Sequence, residues 1–205
     1  EDASPNTAAP DTITVLGAQL PVAEEGQDSL RDFSIGDKIS VTLSGDGEVI
    51  AAEAASSDAP VMAGILTSGT SDTVSVTLSS GITVSGELYS GSVSALNGCL
   101  VRVTSPARGK LSVSALGNSS VPGSLNVAAG TLGELTLSTD VVIYDQVNGS
   151  GAVEVALSDI LVDTVSASSI AYVGTDSAGQ VNLLVLEDVT GSCYAYGFLE
   201  KGEQT

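Results

Sequence analysis

Thr73-Val74-Ser75-Val76-Thr77-Leu78-Ser79-Ser80-Gly81-Ile82-Thr83-Val84-Ser85-Gly86-Glu87-Leu88 alternates apolar and polar side chains on both sides of a glycine turn. Val74, Val76 and Leu78 fall on one face, with Thr73, Ser75 and Thr77 on the other. A period of two fits a half-buried β-strand and no helix. The same reading spreads both ways along the chain. Upstream, Ile13 and Val15 alternate with Thr12 and Thr14, and Ile39, Val41 and Leu43 alternate with Ser40, Thr42 and Ser44. Downstream, Leu111 and Val113 alternate with Ser112 and Ser114, and Leu135 and Leu137 with Glu134, Thr136 and Ser138. Ser44-Gly45-Asp46-Gly47 reads as a hairpin turn, and Asn97-Gly98, Arg108-Gly109 and Ser177-Ala178-Gly179 carry similar turn chemistry. Residues 181–186, Val-Asn-Leu-Leu-Val-Leu, are apolar on both faces in part and predict a central strand. Helix is expected only as single turns at 30–33 and 155–160. Residues 1–10, small and polar with two prolines, read as a frayed leader.

The expected fold class is therefore all-β: tandem small β-barrel or β-sandwich modules with short hairpins and very little helix. Hydrophobic residues make up 42% of the 205, which supports a packed core, but aromatics are only 3% and Trp is absent. Val, Leu, Ile and Ala must fill that core, and they pack well on a pleated surface.

Six Lys and Arg against 25 Asp and Glu leave a net charge of −19. Nucleic-acid binding rests on cationic contacts with phosphates, so nucleic acid is excluded as a partner. Anionic lipid heads are repelled for the same reason. No apolar run reaches the roughly 18 residues of a membrane span, so this stretch is not expected to insert in a membrane. High net charge also favours a soluble monomer. The first residue is Glu rather than Met, which reads as a processed product or a fragment. Two cysteines, Cys99 and Cys193, cannot form a disulfide framework. They read as buried small hydrophobes, or as one bond if the fold brings them together.

Self-similarity organises the chain. Residues 11–69 resemble residues 139–202 at four places in the same order. Leu16 matches Tyr144 at an offset of 128, Leu30 matches Leu157 at 127, Gly47 matches Gly179 at 132, and Gly64 matches Gly197 at 133. The drift suggests an insertion near 164–168. Between the copies, five alternating runs joined by glycine turns have the inventory of a small closed barrel. The expected organisation is a leader at 1–10, a partial module at 11–60, a barrel module at 61–120, a second copy of the first module at 121–193, and the opening strand of a further module at 194–205.

Gly36-Asp37-Lys38-x-x-Val41, a glycine turn before a Val strand, and Val189-Thr190-Gly191-x-x-Tyr194-x-Tyr196-Gly197 together resemble the β-repeat regions of Gram-positive surface proteins. Proteins of that kind carry S-layer homology domains, and no such domain lies within this sequence. The likeness spans most of 30–202. It implies an extracellular, cell-surface or cell-wall segment, structural or adhesive, with a cell-wall polymer or a host surface glycan or protein as partner. It supplies no catalytic residues.

Chemistry-bearing motifs are few. The absence of His removes the commonest general base, the Ser-His-Asp and Cys-His systems and most zinc sites. No Gly-rich phosphate loop is present. A carboxylate pair could serve glycoside hydrolysis, but the sequence offers no Trp platform for a sugar. The chain is expected not to be an enzyme and to need no cofactor. Calcium is the one candidate ion, since it takes carboxylate and carbonyl oxygens. Its candidate ligands are Asp140, Asp145, Asp159, Asp163 and Asp176, set against their ordinary reading as turn acids. Tyr194, Tyr196 and Phe198 would share one face of a strand, as a core stripe or a ligand platform. Arg102, Arg108 and Lys110 form the one cationic cluster, to dock an acidic neighbour or to make surface ion pairs. The alternative function is a carbohydrate- or calcium-binding β-module.

Overall fold

The computed structural model describes residues 1–55, 62–91, 93–117, 119–176 and 178–194. The fold is all-β, in three consecutive parts. The first begins with β1 (Asp2–Ser4), β2 (Thr12–Val15) and β3 (Ala18–Pro21), an antiparallel sheet in that order. Leu16 and Gly17 join β2 to β3 with φ of 51° and 74°. Two left-handed residues in a two-residue turn match the twist of the strands they connect. The expected frayed leader is corrected here. Asp2 lies opposite Thr14 and Ser4 opposite Thr12, and the Glu1 carboxylate accepts from the Gly17 amide at 2.8 Å and the Gly109 amide at 3.0 Å. Composition describes a segment's own preferences, whereas β1 is held by the open edge of a strand ten residues further on.

The helix is also earlier and longer than the single turn expected at 30–33. Helix α1 (Glu24–Leu30) carries Glu24 and Glu25 in its first turn, where the helix dipole favours acids. It lies across the hairpin of β4 (Ile39–Leu43) and β5 (Val49–Ala54). Gly26 permits this, because a Cβ there would sit 2.2 Å from the Val49 carbonyl oxygen.

The second part is a closed barrel. Strands β6 (Met62–Gly69), β7 (Thr73–Leu78), β8 (Thr83–Ser90), β9 (Leu100–Ala107) and β10 (Lys110–Ala115) run in the order β10-β8-β7-β6-β9. Pairing of β10 with β9 completes the ring. The inward residues of the alternation, among them Leu66, Val74, Val76, Val84, Val101 and Val103, are all buried. At Gly64 an added Cβ would meet the Thr77 carbonyl oxygen at 2.5 Å, so this strand glycine allows close backbone approach across the β6–β7 ladder.

The third part contains β11 (Leu125–Asn126), β12 (Thr131–Leu132), β13 (Leu135–Val147), β14 (Ser150–Val155), β15 (Thr164–Val165), β16 (Ile170–Thr175) and β17 (Val181–Glu187), with single 3₁₀ turns at Leu157–Asp159 and Ala167–Ser169. The sheet order is β15-β11-β12-β13-β17-β16, with β14 paired to β13. Strand β17 runs parallel to β13 and antiparallel to β16. It is covered on both faces, as its apolar sequence predicts. Leu184 and Leu186 sit in one core with Leu125, Leu132 and Ile143. Leu183 and Val185 sit in another with Tyr144, Tyr172 and Leu100 of the barrel.

The β4–β5 and β16–β17 hairpins share one register. Leu43 faces Val49, Thr42 faces Ala51, Val41 faces Ala52 and Ser40 faces Glu53. Thr175 faces Val181, Gly174 faces Leu183, Val173 faces Leu184 and Tyr172 faces Val185. In these four pairs each partner in the second hairpin lies 132 positions after its counterpart (Leu43 to Thr175, Val49 to Val181), and both hairpins bulge at the step next to the turn. The second shifts again between Ile170 and Tyr172, so that Ile170 rather than Ala171 faces Leu186 where Ile39 faces Ala54. In the turns, the Ser44 amide donates to Glu48 O at 2.8 Å and Gly47 to Ser44 O at 3.0 Å; the Asp176 amide donates to Gln180 O at 2.9 Å and Gly179 to Asp176 O at 3.1 Å. Ser44 Oγ accepts from the amides of Asp46 and Glu48, as Asp176 Oδ1 does from those of Ala178 and Gln180.

This geometry corrects part of the sequence alignment. Gly47 and Gly179, with φ of 79° and 77°, occupy equivalent positions. Leu16 and Tyr144 do not. The Leu16-Gly17 turn has the backbone of Asn148-Gly149, whose φ values are 51° and 74°, again 132 positions later. The segments from turn to turn are equal in length, so no insertion near 164–168 is needed. Gly197, the last match, lies outside the described residues.

Candidate functional site

The five acids singled out for calcium are spread through the third part. Asp145 is fully buried. It accepts from the Thr190 amide at 2.7 Å, the Thr190 hydroxyl at 2.6 Å and the Val189 amide at 3.2 Å. A buried carboxylate so surrounded by donors is a clasp on the chain after β17. Asp159 Oδ2 accepts from the Ala156 amide at 2.8 Å, and Asp176 is the acceptor of its own turn. Asp163 contributes its carbonyl to Val127 N at 3.0 Å. Asp140 and Asp176 both line a crevice of about 420 Å³ between barrel and third part, with Ser79, Ser138, Asn182 and Tyr144. Two carboxylates fall short of a calcium shell of roughly six to eight oxygens, and among the described residues no three His, Cys, Asp or Glu side chains gather as a metal site.

Of the aromatic trio, Tyr194 is 46% exposed, and Tyr196 and Phe198 lie outside the described residues. The tyrosines that matter to the fold are Tyr144 and Tyr172, buried where the third part meets the barrel. Burial, reinforced by the charge of Glu154 and offset in part by a hydrogen bond with Ser79, pushes the Tyr144 phenol up to about 12. Cys99 and Cys193 are both free thiols. Burial pushes the Cys193 thiol up, and the charges of Asp145, Asp188 and Glu187 add to it, which disfavours the nucleophilic thiolate.

The cationic trio splits. Lys110 pairs with Glu87 at 3.1 Å, and Arg108 Nη2 donates to the Glu1 carbonyl at 2.8 Å. Arg102 turns to a larger cleft of about 830 Å³. One wall is β4, with Ile39 and Val41; another is β2, with Ile13 and Val15; the end of β9, from Arg102 to Arg108, forms the third. Leu30 and Phe33 line it as well, and Lys38 stands beside them. Sequence reasoning singled out Arg102 and Arg108 as part of a cationic cluster but not the apolar walls or Lys38. Lys38 and Arg102 are far apart in the chain, and only barrel closure next to the β4–β5 hairpin brings them to one space.

No protein-family model, curated protein or solved structure matches this chain.

Proposed function

We propose that this chain is a non-catalytic structural or adhesive segment of a secreted bacterial surface protein, built from tandem β-modules. The observation that carries the reading is the common register of β4–β5 and β16–β17, 132 positions apart, with a barrel between them. Such recurrence is the mark of a repeat array whose neighbours cover one another's faces. Apolar contacts join the parts here: Leu16 packs against the barrel core, and Leu100 of the barrel packs with Tyr144 and Val185. Coupling through buried side chains suits a spacer that transmits force. The surface charge of −19 keeps neighbouring chains apart, and the absence of His fits a role without acid–base catalysis.

The test is incubation of the purified chain with isolated wall polymers and a host-glycan panel. The expected result is saturable retention on at least one of them and no release of soluble sugar. Release of sugar would overturn the non-catalytic reading, and retention on nothing would restrict the chain to a spacer. The competing reading, a carbohydrate- or calcium-binding module, draws on the crevice that both Asp140 and Asp176 line. Binding to the folded state raises Tm by mass action, so the spacer reading expects Tm to be unmoved by millimolar calcium.

A further inference from the structure

We propose that the cleft between β2, β4 and the end of β9 binds a small amphipathic anion: an aliphatic or aromatic body bearing one acidic head group. The inference goes beyond the structural or adhesive role and stands without it.

The cleft lies in the first of two units whose hairpins are placed differently. In the third part, Tyr144, Asp145 and Gln146 of β13 pair in parallel with Val185, Leu186 and Glu187 of β17, and the sheet is continuous. The positions 132 earlier are Thr12 to Thr14 of β2. Their edge is taken by β1 instead, with Asp2 facing Thr14, Ala3 facing Ile13 and Ser4 facing Thr12. Among the described residues, strand β5 pairs along its length with β4 and is tied to the first sheet by the Val22–Val49 bridge and by packing of Val49 with Ile13 and Leu20. Its sequence matches that place. Ala51, Ala52, Glu53 and Ala54 stand where β17 has Leu183, Leu184, Val185 and Leu186. The gap between β2, β4 and β9 has Ile13, Val15, Ile39, Val41 and Phe33 on its walls. At about 830 Å³ it falls in the range of small-molecule sites, which are mostly apolar with a few placed polar groups.

Charge then selects the ligand. Of the cations among the described residues, Arg31 is paired with Asp28 at 2.8 Å and Lys110 with Glu87 at 3.1 Å. The others, Lys38, Arg102 and Arg108, all line this cleft. The acids that share its lining are already engaged with backbone amides: Glu1 with Gly17 and Gly109, Asp2 with Ala3, and Asp37 with Ser34. In a chain with 25 carboxylates, the cations that meet none of them among the described residues converge on one apolar space. Beside an apolar wall, where the effective dielectric falls below that of water, such cations attract an anionic head strongly, while the wall takes the body.

The test uses the full chain with decanoate and 8-anilinonaphthalene-1-sulfonate as anionic probes, and decanol and N-phenyl-1-naphthylamine as neutral partners of similar shape. Saturable one-to-one binding of the anions is expected, tighter than that of the neutral probes and weakened by salt. The double variant Lys38→Gln/Arg102→Gln changes exposed residues only. It should weaken the anions by roughly tenfold or more, as expected for a lost charge-assisted contact, while moving the neutral probes less than about twofold. Val41→Trp should block both classes, with an unchanged urea midpoint as the check on folding. Methyl NMR should place the bound probe beside Ile13 and Ile39. Equal affinity for charged and neutral probes, insensitivity to the double variant, or shifts confined to another face would each overturn the proposal, as would no saturable binding at all.

Discussion

Strands β5 and β17 close two hairpins of one register, yet β17 is the covered centre of its sheet and β5 is left at an edge. The pairing is the same over the four residue pairs nearest each turn. The difference lies in side-chain bulk and in what meets the outer edge. Leu183, Leu184, Val185 and Leu186 bury apolar surface on both faces of β17, at roughly 25 cal/mol per Å² removed from water. Ala51, Ala52, Glu53 and Ala54 have little to bury, and three of these four stay exposed. Register is thus written in turn chemistry, while depth in the molecule is written in side-chain volume.

The largest effect should come from trimming the covered strand. Leu184→Ala removes a fully buried side chain and should cost about 3 kcal/mol in urea unfolding. At its counterpart, Ala52→Ser should cost less than about 1 kcal/mol. Similar losses at both positions would break the contrast between centre and edge.

Next in size is Asp145, whose counterpart 132 positions earlier is the apolar Ile13. Asp145→Ala strands the amides of Val189 and Thr190 and should destabilise by about 2–3 kcal/mol. A near-neutral result would show that the clasp after β17 adds nothing to the third part.

Alkaline pH separates the units as well. Tyr144 holds its proton to about 12 in the folded chain, against about 10 when unfolded. Above about pH 10 the unfolded state gives up this proton first, so stability is complete below pH 10 and falls as pH rises towards 12, by up to about 2 kcal/mol. Tyr144→Phe should remove that slope in pH-dependent unfolding, and the counterpart Thr12 adds no such term.

The smallest effect concerns the turns. Gly47→Ala and Gly179→Ala place a Cβ in open space at φ of 79° and 77°. Each should cost about 1 kcal/mol for the left-handed backbone, with equal values for the two. Unequal costs would indicate that the shared turn geometry is supported differently in the two units.

Much of the fold was legible in the sequence because period-two alternation is a local signal. The runs at 39–44 and 73–78 are strands, the run at 181–186 is a central strand, and the five runs between the copies close into a barrel. What escaped was set by distant partners. Strand β1 exists because β2 offers an edge. Helix α1, with Gly26 in its middle, would be marginal alone and is fixed by packing on β5. The alignment at Leu16 slipped because short runs of Val, Leu and Asp carry little register, whereas turn glycines with left-handed φ mark one position each. Among the calcium candidates, Asp159 and Asp176 accept from nearby amides and Asp145 from the chain after β17, an arrangement that composition cannot separate from metal ligands. Arg102 and Arg108 stood out as a cationic cluster, but the cleft that they line with Lys38 forms only through tertiary structure.

The most direct test of the account is the set of cross-strand backbone contacts in residues 39–54 and 170–187, measured by NMR on the labelled chain. Thr42–Ala51 and Val41–Ala52 should recur as Gly174–Leu183 and Val173–Leu184, each pair 132 positions on, with the bulge at the same step. A different register in either hairpin, or pairing of β5 directly with β2, would contradict it.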